Sequence, residues 1–190
     1  LVACARETLG LAANADFAAR VEVAETEIAA PEAARAAAGL GRAVADAVVM
    51  NPPFNTNDGG TRSPKAGRAA AHVLSDVGLE PWLRAAASAL RPGGRLVAIF
   101  RADGLDDLLA ALRGRFGDVA ILPVHARAGK QAHRVLVTAI KGSRAKSRIL
   151  PPLTIHGTAG STYLPPVEAI LRDGRSLAEA HPPWGGTGET

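Results

Sequence analysis

With 190 residues, 47% of them hydrophobic and 21% charged, the chain can build one globular domain with a sizeable core, and not two large ones. The single cysteine, Cys4, excludes a disulfide framework and a cysteine-built zinc site, and no apolar run approaches the roughly 20 residues that cross a bilayer. The formal charge of +4 is unevenly spread: from His125 to Arg148 it is +7 with no Asp or Glu, so the remainder is mildly acidic.

Leu1, Ala5, Leu9 and Ala12 recur at helical spacing, so the chain opens inside an amphipathic helix with no capping residue ahead of it. Val21 to Ala24 alternates and predicts a short strand leading into Glu25-Thr26-Glu27. Pro31 suits the first turn of a helix over Glu32 to Ala38, which Gly39 and Gly41 stop. Asp46 to Met50 is a continuous apolar run after its first residue, the pattern of a strand buried on both faces. Asn51-Pro52-Pro53-Phe54 ends it, because two prolines cannot continue a central strand.

Asn55 to Gly67 reads as a polar, basic loop, and helical patterns resume at Ala69 to Leu74 and Pro81 to Leu90. Arg91-Pro92-Gly93-Gly94 predicts a turn into a buried strand over Arg95 to Phe100, followed by a helix over Leu105 to Leu112. Asp118 to Val124 and His133 to Ile140 read as strands joined by a link too short for a crossover helix, hence an antiparallel hairpin. A short helix is expected over Val167 to Arg172, with an irregular, Pro- and Gly-rich tail from His181. Strands alternating with helices and closing on a hairpin specify an α/β fold with a mostly parallel sheet. In such sheets ligands bind beyond the carboxyl ends of the strands, where Asn51 to Phe54 fall.

That tetrapeptide has a chemical reading. The exocyclic amine of adenine, or a carboxamide nitrogen, is a poor nucleophile because its lone pair is delocalised. Two acceptors aimed at its two N–H bonds, the Asn51 side-chain oxygen and the Pro52 carbonyl, would pull it towards tetrahedral geometry. Consecutive prolines hold that carbonyl in a set direction, and Phe54 offers a flat face to a planar group. The alternative is a strand ending in a proline turn, with Phe54 as a core plug.

The strand, Asn51-Pro52-Pro53-Phe54, the Leu90-Arg91-Pro92-Gly93-Gly94 turn and the terminal hairpin resemble the second half of a class I S-adenosylmethionine-dependent methyltransferase, a Rossmann-like fold. Asn51 to Gly174 is more closely similar to the bacterial tRNA(Val) adenine-N6 methyltransferases. The similarity is carried by Arg62-Ser63-Pro64, Arg68 to His72, Gly129-Lys130, Lys141 to Arg144, Leu150 to Leu153 and Ile155-His156. The resemblance implies S-adenosyl-L-methionine as cofactor, tRNA as partner, and methylation of the N6 amine of adenine. It implies catalytic roles for Asn51, Pro52, Pro53 and Phe54, and cofactor contacts for Glu27 and Asn51. Arg62, Lys65 and Arg68 would line the substrate mouth, and Lys130, Arg134, Arg144, Lys146 and Arg148 would hold phosphates. No metal and no membrane partner is implied.

The resemblance also departs from the family. No Gly-rich turn after a first strand is found, so the sequence is expected to be N-terminally truncated, lacking the first two strands and exposing an apolar sheet edge. Residues 1–142 would form a partial methyltransferase domain, 143–174 a family-like extension packed on it, and 175–190 a disordered tail. A protein glutamine-N5 methyltransferase, a DNA adenine methyltransferase and a catalytically dead nucleic-acid-binding remnant stay open as alternatives. A cytoplasmic location is expected from the cysteine usage and the absence of a signal-like opening.

Overall fold

A computed structural model describes residues 1–52 and 78–184. The expected Asn55–Gly67 loop and Ala69–Leu74 helix lie outside the described residues. The sheet comprises β1 (Ala45–Met50), β2 (Leu90–Arg101), β3 (Phe116–Arg127), β4 (Ala132–Lys141), β5 (Arg148–Ile149) and β6 (Leu153–His156). Its order is β1-β2-β4-β3-β5, with β6 also pairing β3. β1 and β2 are parallel, β2–β4 and β3–β4 antiparallel, and β5 and β6 parallel to β3. This is the mixed α/β fold with a terminal hairpin that the sequence pattern specifies.

Around the sheet lie α1 (Val2–Leu9), α2 (Ala15–Ala18), α3 (Glu32–Ala37), α4 (Glu80–Ala89), α5 (Leu105–Leu112), α6 (Pro165–Leu171) and α7 (Leu177–Ala180). The main core lies on one sheet face. Leu83 and Ala86 of α4 and Leu108 and Leu112 of α5 pack on Leu96, Ala98 and Phe100 of β2, Ile121 of β3, and Val135 and Val137 of β4. Strand alternation sends Leu122 of β3 and Leu136 of β4 to the other face, where Leu153, Val167, Leu177 and Trp184 cover them. Residues 148–156 thus extend the sheet, and α6 and α7 roof its second face. The expected tail begins with order: Ser176 caps α7 with a reciprocal Ser176–Glu179 capping box, and Pro182–Trp184 form a 3-10 turn.

Two elements differ from their sequence reading. Val21 to Ala24 form no strand, because no strand lies beside them among the described residues to accept a ladder; the Val23 carbonyl is instead bonded by Arg6 Nη2 at 3.1 Å. The Arg91–Gly94 turn lies inside β2 rather than before it. Ala45 pairs with Leu90 and Ala47 with Arg95, so four residues bulge out between the two pairings. Gly93 supplies a φ of +76°, and a Cβ on Gly94 would lie 2.9 Å from the Arg91 carbonyl oxygen and 3.2 Å from that of Asp46. Only glycine fits at that close approach.

β1 also departs from its reading as a strand buried on both faces: it is the sheet edge among the described residues, and Val49 on it is 79% exposed. α1 forms where its periodicity predicts, yet none of its residues is buried.

Candidate active site

The carboxyl ends of β1 and β2 and the tip of the β3–β4 hairpin share one end of the sheet. Met50 pairs with Ala98, and Arg101 with Arg134 at the start of β4. Asn51 is the first residue beyond β1. Its side chain is exposed, while the Pro52 side chain after it is fully buried. The buried proline anchors the strand end, so an exposed acceptor stands on a fixed base. Pro53, Phe54, Arg62, Lys65 and Arg68 lie outside the described residues.

At the end of β2 the Arg101 guanidinium holds Asp103, with Nε 2.7 Å from Oδ1. That hydrogen bond, more than any other influence, keeps the Asp103 carboxyl below its usual range, and the nearby Arg134 charge adds to it. Asp103 is therefore a fixed carboxylate at the site end and not a proton donor. The sequence reading missed this pair; an acid two residues after a basic strand terminus was the available signal. Gly104 follows, packed so closely on the Phe100 ring that a Cβ would come within 2.8 Å of it.

The basic segment is divided by the sheet. Lys130 sits in the hairpin turn and Arg134 near it, at the same end as Asn51. Arg144 and Lys146 follow β4 at the opposite end, near Asp118, whose N–H donates to the Ala145 carbonyl at 3.0 Å. Arg134 and Lys141 are seven residue steps apart along β4, about 24 Å of strand. Three further cations have internal partners. Arg148 is paired with Asp118, Lys141 Nζ donates to the Leu90 carbonyl at 2.6 Å, and Arg127 donates to the Gly157 and Gly160 carbonyls. The seven charges therefore do not form one continuous phosphate-binding face.

Beside Asn51 a groove of about 180 Å³ is lined by Ile28, Leu40, Val48, Val49, Met50 and Trp82, with three alanines of α4. Ile28 and Met50 both line it, and Glu27 and Asn51 are their sequence neighbours, each with an exposed side chain. Trp82 Nε1 is buried with no acceptor among the described residues. These walls suit a flat apolar ring. Among the described residues the lining carries no polar side-chain group besides the Trp82 Nε1–H, so ribose hydroxyls and an amino-acid carboxylate find no set of partners there. The described residues thus fit the adenine side of an S-adenosylmethionine and not its methionine end. Among them, no three His, Cys, Asp or Glu side chains gather as a metal site, and no helix is long and apolar enough to cross a membrane.

A solved structure described as a predicted O-methyltransferase, protein Atu636 from Agrobacterium tumefaciens, matches the fold with a TM-score of 0.72. The two chains are 34% identical over 89% of this chain and 71% of the other. No protein-family model matches the sequence, and comparison with curated proteins finds no match. The parallel strand ending in Asn51-Pro52, the closing hairpin and this likeness together define a Rossmann-like methyltransferase. The chain belongs to the methyltransferase family of the Agrobacterium protein. Methyltransferases of this fold generally use S-adenosylmethionine.

Proposed function

We propose that this chain is an S-adenosylmethionine-dependent methyltransferase acting on the exocyclic N6 amine of an adenine in tRNA. The observation that carries the reading is the placement of Asn51, exposed at the carboxyl end of a parallel strand and seated on the fully buried Pro52.

When bound, S-adenosylmethionine supplies an electrophilic methyl group on a sulfonium. The chain's own part is to prepare the nitrogen. The Asn51 side-chain oxygen accepts one N–H of the amine and the Pro52 carbonyl accepts the other, which frees the lone pair from the ring. As the N–C bond formed, the methyl–sulfur bond would break to leave the neutral thioether S-adenosylhomocysteine; the nitrogen would become cationic and then release one proton to water, so no strong general base is required. Phe54 would stack on the extruded base. Glu27 and Asn51 are the proposed cofactor-side contacts, and Arg62, Lys65 and Arg68 the proposed lining of the substrate mouth. Lys130 and Arg134 would meet phosphates close to the reacting base; Arg144 and Lys146 could meet them only at the far end of the sheet.

The likeness to the Agrobacterium protein, described as a predicted O-methyltransferase, favours one second reading, a hydroxyl acceptor. A hydroxyl has a single O–H and would leave one of the two acceptors unmatched. Methyl-labelled S-adenosylmethionine and tRNA, followed by nucleoside mass analysis, test the choice. Label in N6-methyladenosine is expected, and Asn51→Ala should lower turnover about 100- to 1,000-fold, the usual cost of one preorganised polar contact. Label appearing only in a hydroxyl or a protein glutamine, or full activity of Asn51→Ala, overturns the reading.

A further inference from the structure

We infer that His156 and Tyr163 form a stacking platform for a second, unpaired nucleobase of the same RNA, away from the base held at Asn51. The inference rests on the RNA reading above and names a further contact of that substrate.

The two rings are stacked, with centroids 5.1 Å apart and planes within 15°. Although His156 covers one side of it, Tyr163 remains 38% exposed, and it is the chain's only tyrosine. The platform is rigidly built. His156 ends β6 and bridges Tyr163, and the Leu164 N–H donates to the Ile155 carbonyl at 2.9 Å. Arg127 clamps the intervening loop through the Gly157 carbonyl, at 2.9 Å, and the Gly160 carbonyl. Little conformational freedom is left to lose when a base arrives.

Position and charge select the occupant. His156 pairs with Arg127 at the hairpin end of β3, so the platform shares the sheet end that carries Asn51. Four strand steps separate β1 from β6, about 19 Å at ordinary spacing. That separation is too wide for the reacting nucleotide or its immediate neighbour and places the platform on a base several positions away in the loop. Between Asp118 and Glu168 the chain has no acidic residue, and Arg127 and Lys130 bring positive charge beside the platform. An aromatic face in an acid-free, basic setting suits a stacked base with its phosphate, and single-stranded loops present such bases.

The test uses an RNA stem-loop with one target adenine in its loop and 2-aminopurine at other loop positions. Tyr163→Ala and Tyr163→Leu should each weaken binding about tenfold and relieve the 2-aminopurine quench, because both remove the π face. Tyr163→Phe should bind within about twofold of the parent, since a phenyl ring still stacks. The slope of log affinity against log salt should not change, because no phosphate contact is lost. Parent-like binding by both Tyr163→Ala and Tyr163→Leu overturns the platform, as does equal weakening by Tyr163→Phe. A slope reduced by about one would mark a phosphate contact in its place and also overturns it. If the parent protein binds and methylates the RNA while these results fail, only the platform falls. If the parent neither binds nor methylates RNA but modifies a protein or a hydroxyl, the RNA reading falls and takes the platform with it.

Discussion

Arg148 on β5 is paired with the carboxylate of Asp118 on β3, and this contact fastens the post-hairpin segment to the sheet. Asp118 needs the help: its φ is +51°, an uncommon conformation outside glycine, and it interrupts the β3–β4 register between Gly117 and Ala120. The pair is about one-third exposed on each side, between a surface and a buried bridge. Arg148→Ala should therefore destabilise the protein by about 1–2 kcal/mol in chemical denaturation. It should leave the salt slope of RNA binding unchanged, whereas Lys130→Ala should reduce that slope by about one. A reversed pattern would return Arg148 to the phosphate-binding set.

Glycines make a second prediction because two of them sit where a Cβ would run into backbone atoms. A Cβ on Gly117 would lie 2.3 Å from the Ser143 carbonyl oxygen, a backbone atom that cannot swing away. Gly117→Ala should cost about 3 kcal/mol or more. Gly94→Ala, with its nearest clash at 2.9 Å, should cost about 1–3 kcal/mol. Gly129 in the hairpin turn has open space around it but a φ of +72°, so Gly129→Ala should cost only about 1 kcal/mol of backbone strain. Urea midpoints that fail to rank the three in this order would contradict the packing described for the β2 bulge and the β3 terminus.

The core predicts a third ranking. Leu108 of α5 is fully buried between that helix and the sheet, and Leu171 at the end of α6 is 60% exposed. Leu108→Ala should cost about 2–5 kcal/mol through lost burial and the cavity left behind. Leu171→Ala should stay within about 0.5 kcal/mol, as surface changes do. Equal losses at the two sites would mean that α6 packs more tightly than its exposure indicates.

Local pattern made some of this legible in the sequence and non-local pairing hid the rest. Asp46 to Met50 and Arg95 to Phe100 read as strands from their continuous apolar runs, and the short link over Ala126 to Ala132 pointed to a hairpin. The burial of the first strand on both faces was misread, since β1 is an edge among the described residues with Val49 79% exposed. The place of Asn51 in the fold followed from the same logic, since it must lie at the carboxyl end of β1. Val21 to Ala24 misled because alternation over four residues records a preference and not the presence of a neighbour to pair with. The Arg91–Gly94 bulge looked like a turn before the strand, because the Ala45–Leu90 pairing that encloses it joins residues far apart in the sequence. The Arg148–Asp118 pair was hidden because the two residues lie 30 positions apart, and the Arg127 contacts because their partners are backbone carbonyls of a later loop. The His156–Tyr163 stack needed the fold of the 157–161 loop to bring the rings together.

Glu80 at the start of α4 carries the pH prediction. Its carboxylate receives both guanidinium nitrogens of Arg115, at 2.6 and 3.1 Å, so one bidentate pair ties α4 to the turn that enters β3. That hydrogen bonding, ahead of partial desolvation acting the other way, holds the Glu80 carboxyl below its usual value. A carboxyl whose pKa is lower in the folded than in the unfolded state stabilises fully above the ordinary glutamate pKa. The contribution then fades as pH falls through the lower folded value. Both side chains are more than one-third exposed, so the pair is worth less than about 1 kcal/mol after screening. Glu80→Gln should therefore lower the thermal midpoint slightly at pH 7. Its difference from the parent should shrink as pH falls from about 5 towards 3, because the parent loses its charge there while the variant has none to lose. A difference that grows on acidification would show that the pair is not formed in solution.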